Sequence, residues 1–188
     1  MIIKNGVGAD LAIALTNPKY SHNVGAAVRA ASCFQVPQVW FTGDRVAIEG
    51  DRKKVRLPRE ERMKGYGEVD ICHGEYFFDA FPKDVVPIAI DLVPGTQSLI
   101  HFEHPEKALY VFGPEDGSLN SMTLRHCQRF VHIPMAHCAN LSSAVYMVLY
   151  DRHVKRVMAG LESEIGLTEQ RGRSWLEPDT MVEEVGVR

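Results

Sequence analysis

Leu109-Tyr-Val-Phe112-Gly113-Pro-Glu115-Asp-Gly117 is an apolar run of strand length that stops abruptly on glycine, proline and two acids. Ligand-binding loops of open α/β sheets sit where an apolar strand runs out in this way. Two further segments share the character. One is Asn17-Pro-Lys-Tyr-Ser-His-Asn23-Val-Gly25-Ala-Ala-Val-Arg29, which follows the buried-strand pattern Leu11–Leu15. The other is Ile133-Pro-Met135-Ala-His-Cys138-Ala-Asn140-Leu-Ser142-Ser-Ala144, which follows an apolar run over 130–133. Gly113 and Gly117 leave a loop that a ligand can approach closely.

Working outward, short apolar runs over 39–41 and 87–92 add two strands. Residues 24–34 read as a helix whose Ala26, Ala27, Ala30 and Ala31 allow close packing. Residues 118–128 suit a short helix capped by Ser118 or Asn120. A long helix starts at Asn140 or Leu141, with Val145, Val148, Leu149, Val154 and Val157 near a 3.6 period. Arg152, Lys155 and Arg156 gather at its far end, complementing the helix dipole, and Gly160 ends it. Strands alternating with helices predict an α/β fold with a mainly parallel sheet flanked by helices. Residues 1–157 form one domain on this reading. Residues 158–188, with Arg171, Arg173, Trp175 and Pro178, read as an appended arm.

Composition narrows the function. Of the 188 residues, 45% are hydrophobic and 24% charged, which is ordinary for a globular domain. No apolar run approaches the roughly 20 residues of a membrane-spanning helix, and the N-terminus lacks a signal-peptide pattern. Cys33, Cys72, Cys127 and Cys138 are scattered, so reduced thiols, a cytoplasmic location and no metal site are expected. A net charge of −3 disfavours general coating of nucleic acid. Locally, however, Arg52, Lys53, Lys54, Arg56 and Arg59 lie in a basic stretch over 52–64, the candidate RNA contact. Neither a Gly-x-Gly-x-x-Gly after the first strand nor a P-loop is present, which disfavours a dinucleotide or nucleotide-phosphate site.

Together, the three segments resemble the TrmH (SpoU) family of the SPOUT superfamily, RNA ribose 2′-O-methyltransferases. That family's first motif, Asn-x-Gly-x-x-x-Arg, reads here as Asn23 through Gly25 to Arg29. Its second, a strand and then Gly-x-Glu-x-x-Gly, reads as Gly113-Pro-Glu115-Asp-Gly117, with the last glycine one position early. Its third, Ile-Pro-Met and a polar loop opening a long helix, reads as 133–144. Two departures stand out: the loop after Met135 is short, and Cys138 replaces a serine, giving a weaker hydrogen-bond partner.

The resemblance implies a C-terminal deep trefoil knot, S-adenosylmethionine as cofactor, a homodimer and an RNA substrate, with tRNA favoured over rRNA. It implies catalytic roles for Arg29, Asn23, Glu115 and Asn140, with Arg29 near the partner's cofactor site. It assigns cofactor binding to Phe112, Gly113, Gly117, Ile133, Met135, Leu141 and Ala144. Because an arginine holds its proton above pH ~12, Arg29 is expected to orient the 2′-OH and stabilise developing charge. Three alternatives stay open: a knotted RNA- or cofactor-binding protein with impaired catalysis, transfer to rRNA, and transfer to a base or small molecule.

Overall fold

The structure, a computed structural model, describes residues 2–3, 7–46 and 68–165. Eight strands form one sheet: β1 (Ile2–Ile3), β2 (Leu11–Leu15), β3 (Gln38–Phe41), β4 (Asp70–His73), β5 (Val86–Ile90), β6 (Gln97–Ser98), β7 (Ala108–Phe112) and β8 (Arg129–His132). Among the described residues three α-helices accompany them: α1 (Ser21–Cys33), α2 (Ser121–His126) and α3 (Leu141–Met158). The strand order is β1-β4-β3-β2-β7-β5-β8-β6. Every strand pair is parallel.

The centre of the sheet explains its all-apolar sequences. All five residues of β7 and all four of β3 are buried, as expected for parallel strands covered on both faces. Alternate residues feed different cores. Ile13, Leu15, Tyr110 and Phe112 join Val24, Val28, Val145 and Leu149 beneath α1 and α3. Ala12, Ala14, Leu109 and Val111 face Trp40, Phe77, Leu119 and Cys127 on the other side. Register then decides where the site lies. Leu15 pairs with both Phe41 and Phe112, and Phe112 pairs with Ile90. Four strands therefore end in one row, and their loops emerge together.

Several expectations shift in detail. Helix α1 starts earlier, at Ser21, and α2 is shorter, with Asn120 as its side-chain cap through Thr123 N–H. Strands β1 and β6 carry too few residues to stand out by pattern, and β4, Asp70-Ile-Cys-His73, has polar residues at both ends. Helix α3 begins at Leu141 with Asn140 as cap. It ends at Met158, with Ala159 as C-cap followed by Gly160, whose φ of +69° suits glycine. Arg152 and Lys155 do more than complement a dipole. Arg152 donates to the carbonyls of Pro105 and Glu106, Lys155 to those of Leu99 and Phe102, and Arg156 pairs with Glu162. The cationic end of α3 thereby grips the segment over 99–106. The chain is described through residue 165, and the rest of the proposed arm lies outside the described residues.

A buried polar relay supports the same region. Tyr110 donates its hydroxyl proton to His104 Nδ1 at 2.6 Å, and His104 Nε2–H donates to Asp151 at 2.8 Å. Burial, reinforced by Lys155 and Arg152 and only partly opposed by Asp151, pushes the imidazole down to about 4. The folded protein thus keeps His104 neutral while the unfolded chain titrates at the ordinary value near 6.5. Stability is complete above that value and declines as the pH falls from 6.5 towards 4, because only the unfolded chain gains the proton. The full effect is roughly 3 kcal/mol. Urea unfolding at a series of pH values should show that loss, and His104→Gln should flatten the slope at the cost of lower stability at neutral pH.

Candidate active site

Asn23 decides the geometry. Helix α1 is capped by Tyr20 without a side-chain bond. Asn23 instead lies inside the first turn, 2% exposed, with its side chain turned towards the ends of β7 and α3. Its amide donates to Glu115 Oε1, and its carbonyl accepts from Asn140 Nδ2 at 3.0 Å. Asn140 Oδ1 accepts from Ser142 N–H at 2.9 Å and from the Ser142 hydroxyl at 2.6 Å. At the far end, Glu115 Oε2 accepts Lys19 N–H at 2.7 Å. One chain of hydrogen bonds therefore joins all three motif segments, although Asn23 lies 92 and 117 residues from its partners in the other two.

Burial alone would raise the Glu115 carboxyl. The Asn23 amide and backbone N–H groups outweigh it, leaving Glu115 below the ordinary carboxylate range and charged at neutral pH. Its neighbour Asp116 is held down at about 2, chiefly by Arg45. Arg45 grips Asp116 with two parallel bonds of 3.0 and 2.6 Å and also donates to the Asn17 carbonyl at 3.3 Å. That clamp ties together the loops after β2, β3 and β7. Asn17 itself has φ +45°, and its side chain fills the space where a Cβ on Gly43 would sit, 2.3 Å from Asn17 Oδ1. Gly43, with φ +76°, is consequently a position only glycine serves well.

Beside this network opens a cleft. Phe112, Gly113, Gly117 and Ile133 line it, together with Met135, Leu141 and Ala144, so the seven expected cofactor residues do come together. Glu115 reaches its rim, as does the exposed Cys138. Sequence reasoning missed the contribution of β5. Ile90, Asp91 and Leu92 form one wall. Asp91 accepts Leu92 N–H and Leu119 N–H, each at 2.7 Å, pinning the loop after β7 to the end of β5. An acid closing the apolar run over 87–92 was the available signal.

Arg29 stands apart. It lies on α1 about 9 Å along the axis from Asn23 and on a different side of the helix. Among the described residues it makes no hydrogen bond or ion pair, and it does not line the cleft. The candidate RNA contacts Arg52, Lys53, Lys54, Arg56 and Arg59 lie outside the described residues. Among the described residues no helix is long and apolar enough to cross a membrane.

A purine and a ribose suit such a cleft. Its walls are apolar, two glycines keep its floor open, and backbone groups are within reach for hydrogen bonds. A cleft at the strand ends of a parallel sheet, joined to a charged polar network, is where open α/β folds bind their ligands. Residues 10–150 match the SpoU rRNA Methylase family, and the chain belongs to that family. It is accordingly an RNA methyltransferase with S-adenosylmethionine as methyl donor.

Relatives agree with this placement. A tRNA (cytidine-2′-O-)-methyltransferase, TrmJ of Methanocaldococcus jannaschii, is 27% identical over 158 residues, covering 78% of this chain and 69% of its own. Among solved structures, the A. aeolicus TrmH/SpoU tRNA modifying enzyme superposes with a TM-score of 0.67 at 19% identity, covering 88% of this chain and 85% of its own. AviRb of Streptomyces viridochromogenes, solved with AdoMet, superposes with a TM-score of 0.62 at 17% identity, over 79% of this chain and 61% of its own. At these identities the two structures establish a shared fold.

Proposed function

We propose that this protein transfers a methyl group from S-adenosylmethionine to a ribose 2′-OH of tRNA, as a cytoplasmic homodimer with a knotted C-terminal segment. The observation that carries the reading is the Ser142–Asn140–Asn23–Glu115 hydrogen-bond chain at the mouth of the apolar cleft. When bound, the cofactor supplies a methyl group activated by a sulfonium. What remains for the protein is to align an oxygen with that carbon, and positioning of this kind supplies much of the acceleration.

Each residue then has a task. Phe112, Ile133, Leu141 and Ala144 exclude water, while Gly113 and Gly117 admit the ligand to the backbone. Asp91 holds the loop that carries those glycines. Glu115 and Asn140 lock Asn23, so that the start of α1 is fixed against the cleft. Arg29 orients the 2′-OH and stabilises charge developing on it. It acts on the neighbouring protomer's cleft, which accounts for its lack of partners among the described residues. The proposed contact is the face shared by α1 and α3. There Phe34 meets the rings of Tyr146, Tyr150 and His153 at 6.3 to 6.5 Å, and Tyr150 remains 62% exposed. Support for the knot comes from the grip of α3 on the segment over 99–106, as expected if the helix passes beneath it.

The substrate class follows from the named activities of the M. jannaschii relative and the A. aeolicus neighbour, both tRNA-modifying, and the experiment separates it from rRNA. Labelled S-adenosylmethionine is offered with total tRNA and, separately, with rRNA, each from a strain lacking the gene. Label recovered as a 2′-O-methylnucleoside from tRNA alone is the expected result. Label in rRNA alone would replace the substrate. Label on a base would overturn the ribose assignment.

A further inference from the structure

A second cleft opens on the other side of the loop after β7, with a volume of about 570 Å³. It shares Pro114 with the cofactor cleft, so the two are separated by a single turn of backbone. One wall is aromatic. His126 stacks on Phe78 with centroids 4.8 Å apart and planes at 18°, and Tyr76 meets both rings edge-on at 5.4 and 6.0 Å. These rings are held in place. His126 Nδ1–H donates to the Met122 carbonyl at 2.9 Å, and its Nε2 accepts the Tyr76 hydroxyl proton. Phe78 packs in turn on the buried Phe77 at 4.4 Å. Despite this order the wall is open: Tyr76 is 48% and Met122 65% exposed. The remainder of the lining is polar, with Asn17, Thr42, Asp44, Glu75 and Asn120.

Phe78 packs against the core beneath it, but Tyr76 and His126, both exposed, extend the ring cluster onto an open surface where core packing does not require them. We propose that this cleft receives a nucleobase of the substrate RNA, stacked on the Tyr76–Phe78–His126 wall, with the attached ribose crossing Pro114 towards the cofactor cleft. The inference rests on the RNA-methyltransferase reading and names the part of the RNA that the site takes. A flat π-face suits an aromatic wall, and stacking of this kind tolerates any base. Asp44 and Glu75 repel a phosphate, so the cleft selects the base over the backbone, and their carboxylates accept hydrogen bonds from base amino groups. The volume accommodates a nucleoside-sized ligand. Being adjacent, the two clefts hold base and methyl donor on opposite sides of one loop, the arrangement a ribose acceptor needs.

Tyr76→Ala tests this with three readouts: affinity for tRNA, methyl transfer, and cofactor affinity by calorimetry. The expected result is a loss of about tenfold or more in tRNA affinity and in kcat/KM, the usual effect of removing one stacking ring. Cofactor affinity should be unchanged, and Tyr76→Phe should restore both. A Tyr76→Ala protein within about twofold of wild type on tRNA overturns the proposal, because a stacking ring cannot be that dispensable. Ultraviolet crosslinking of wild-type protein to tRNA, with mass mapping, decides the matter even if the variant folds poorly. Crosslinks on 75–78 or 122–126 support the cleft, and crosslinks only elsewhere overturn it. Wild type that crosslinks here but transfers no methyl group would sink the enzyme reading and leave the base cleft standing.

Discussion

Asn23→Asp should reduce methyl transfer at least about 100-fold, the scale on which a small misplacement of catalytic geometry is felt. The substitution changes one NH2 to one oxygen, yet it strikes the most connected point of the site. Asn23 is buried and donates to Glu115 while accepting from Asn140. An aspartate there would set a second carboxylate against Glu115 where a donor stood. Two carboxylates at hydrogen-bond distance cannot both stay charged away from water, so the pair must hold a proton or separate. Separation breaks the link between α1 and the loop after β7. The sign of the pH response follows: the pair recovers its hydrogen bond when it gains a proton, so the variant should regain activity as the pH falls, within the range where the fold survives. Adding Glu115→Gln reverses the polarity of the pair. The glutamine amide then donates to the carboxylate introduced on α1, its carbonyl accepts Lys19 N–H, and Asn140 keeps its acceptor. The double variant should recover most of the activity. If the single variant keeps full turnover, the network is scaffolding without influence on the reaction. If the double variant is as inactive as the single, the Glu115 charge itself is required.

How the site is assembled explains what could be read in advance. Strands β2, β3, β5 and β7 were legible because they are largely buried and leave apolar runs that end at the glycines and prolines of the loops, whereas β8 buries only Val131 fully and was legible from the apolar residues around it. The small strands β1 and β6 have two residues each, too short for any period, and their pairing depends on neighbours already in place. Asn120 was readable as a cap because capping is a local interaction. Asn23 was not, since its partners lie 92 and 117 residues away and its local position suggests a helix start. The Arg45–Asp116 clamp and the Asp91 bonds to the loop were hidden for the same reason. Each joins segments that only the sheet register brings together. The cleft lining was legible through the resemblance of the three motifs to a known family, and the register supplies the physical cause: Leu15, Phe41, Ile90 and Phe112 end level, so their loops must converge. The aromatic wall at Tyr76, Phe78 and His126 has no sequence signature, because it unites a 3-10 turn after β4 with the end of α2.

Arg29→Ala should lower turnover by about 100- to 1000-fold, the range for removing a positioned donor that stabilises developing charge, and should leave cofactor affinity unchanged. The split between turnover and affinity follows from geometry, since Arg29 is absent from the lining of its own chain's cleft. Arg29→Lys should recover little, because a lysine offers a point charge in place of a planar fork of donors. The same geometry predicts a sharper result. Protomers carrying Arg29→Ala can be mixed with protomers carrying Asn140→Ala, each inactive as a homodimer. In a mixed dimer, the Arg29→Ala protomer retains an intact cleft and faces an intact Arg29 on its partner. One competent site is thereby rebuilt, while the other site carries both lesions. With random exchange about a quarter of all sites regain function, as two-fold symmetry requires. An arginine serving its own chain's cleft would restore nothing, because every site would then keep one lesion. Activity near that quarter places the two halves of the catalytic machinery on different chains. A mixture as inactive as its parents, with exchange verified by mass spectrometry, assigns Arg29 to its own cleft and requires that its side chain swing there when RNA binds.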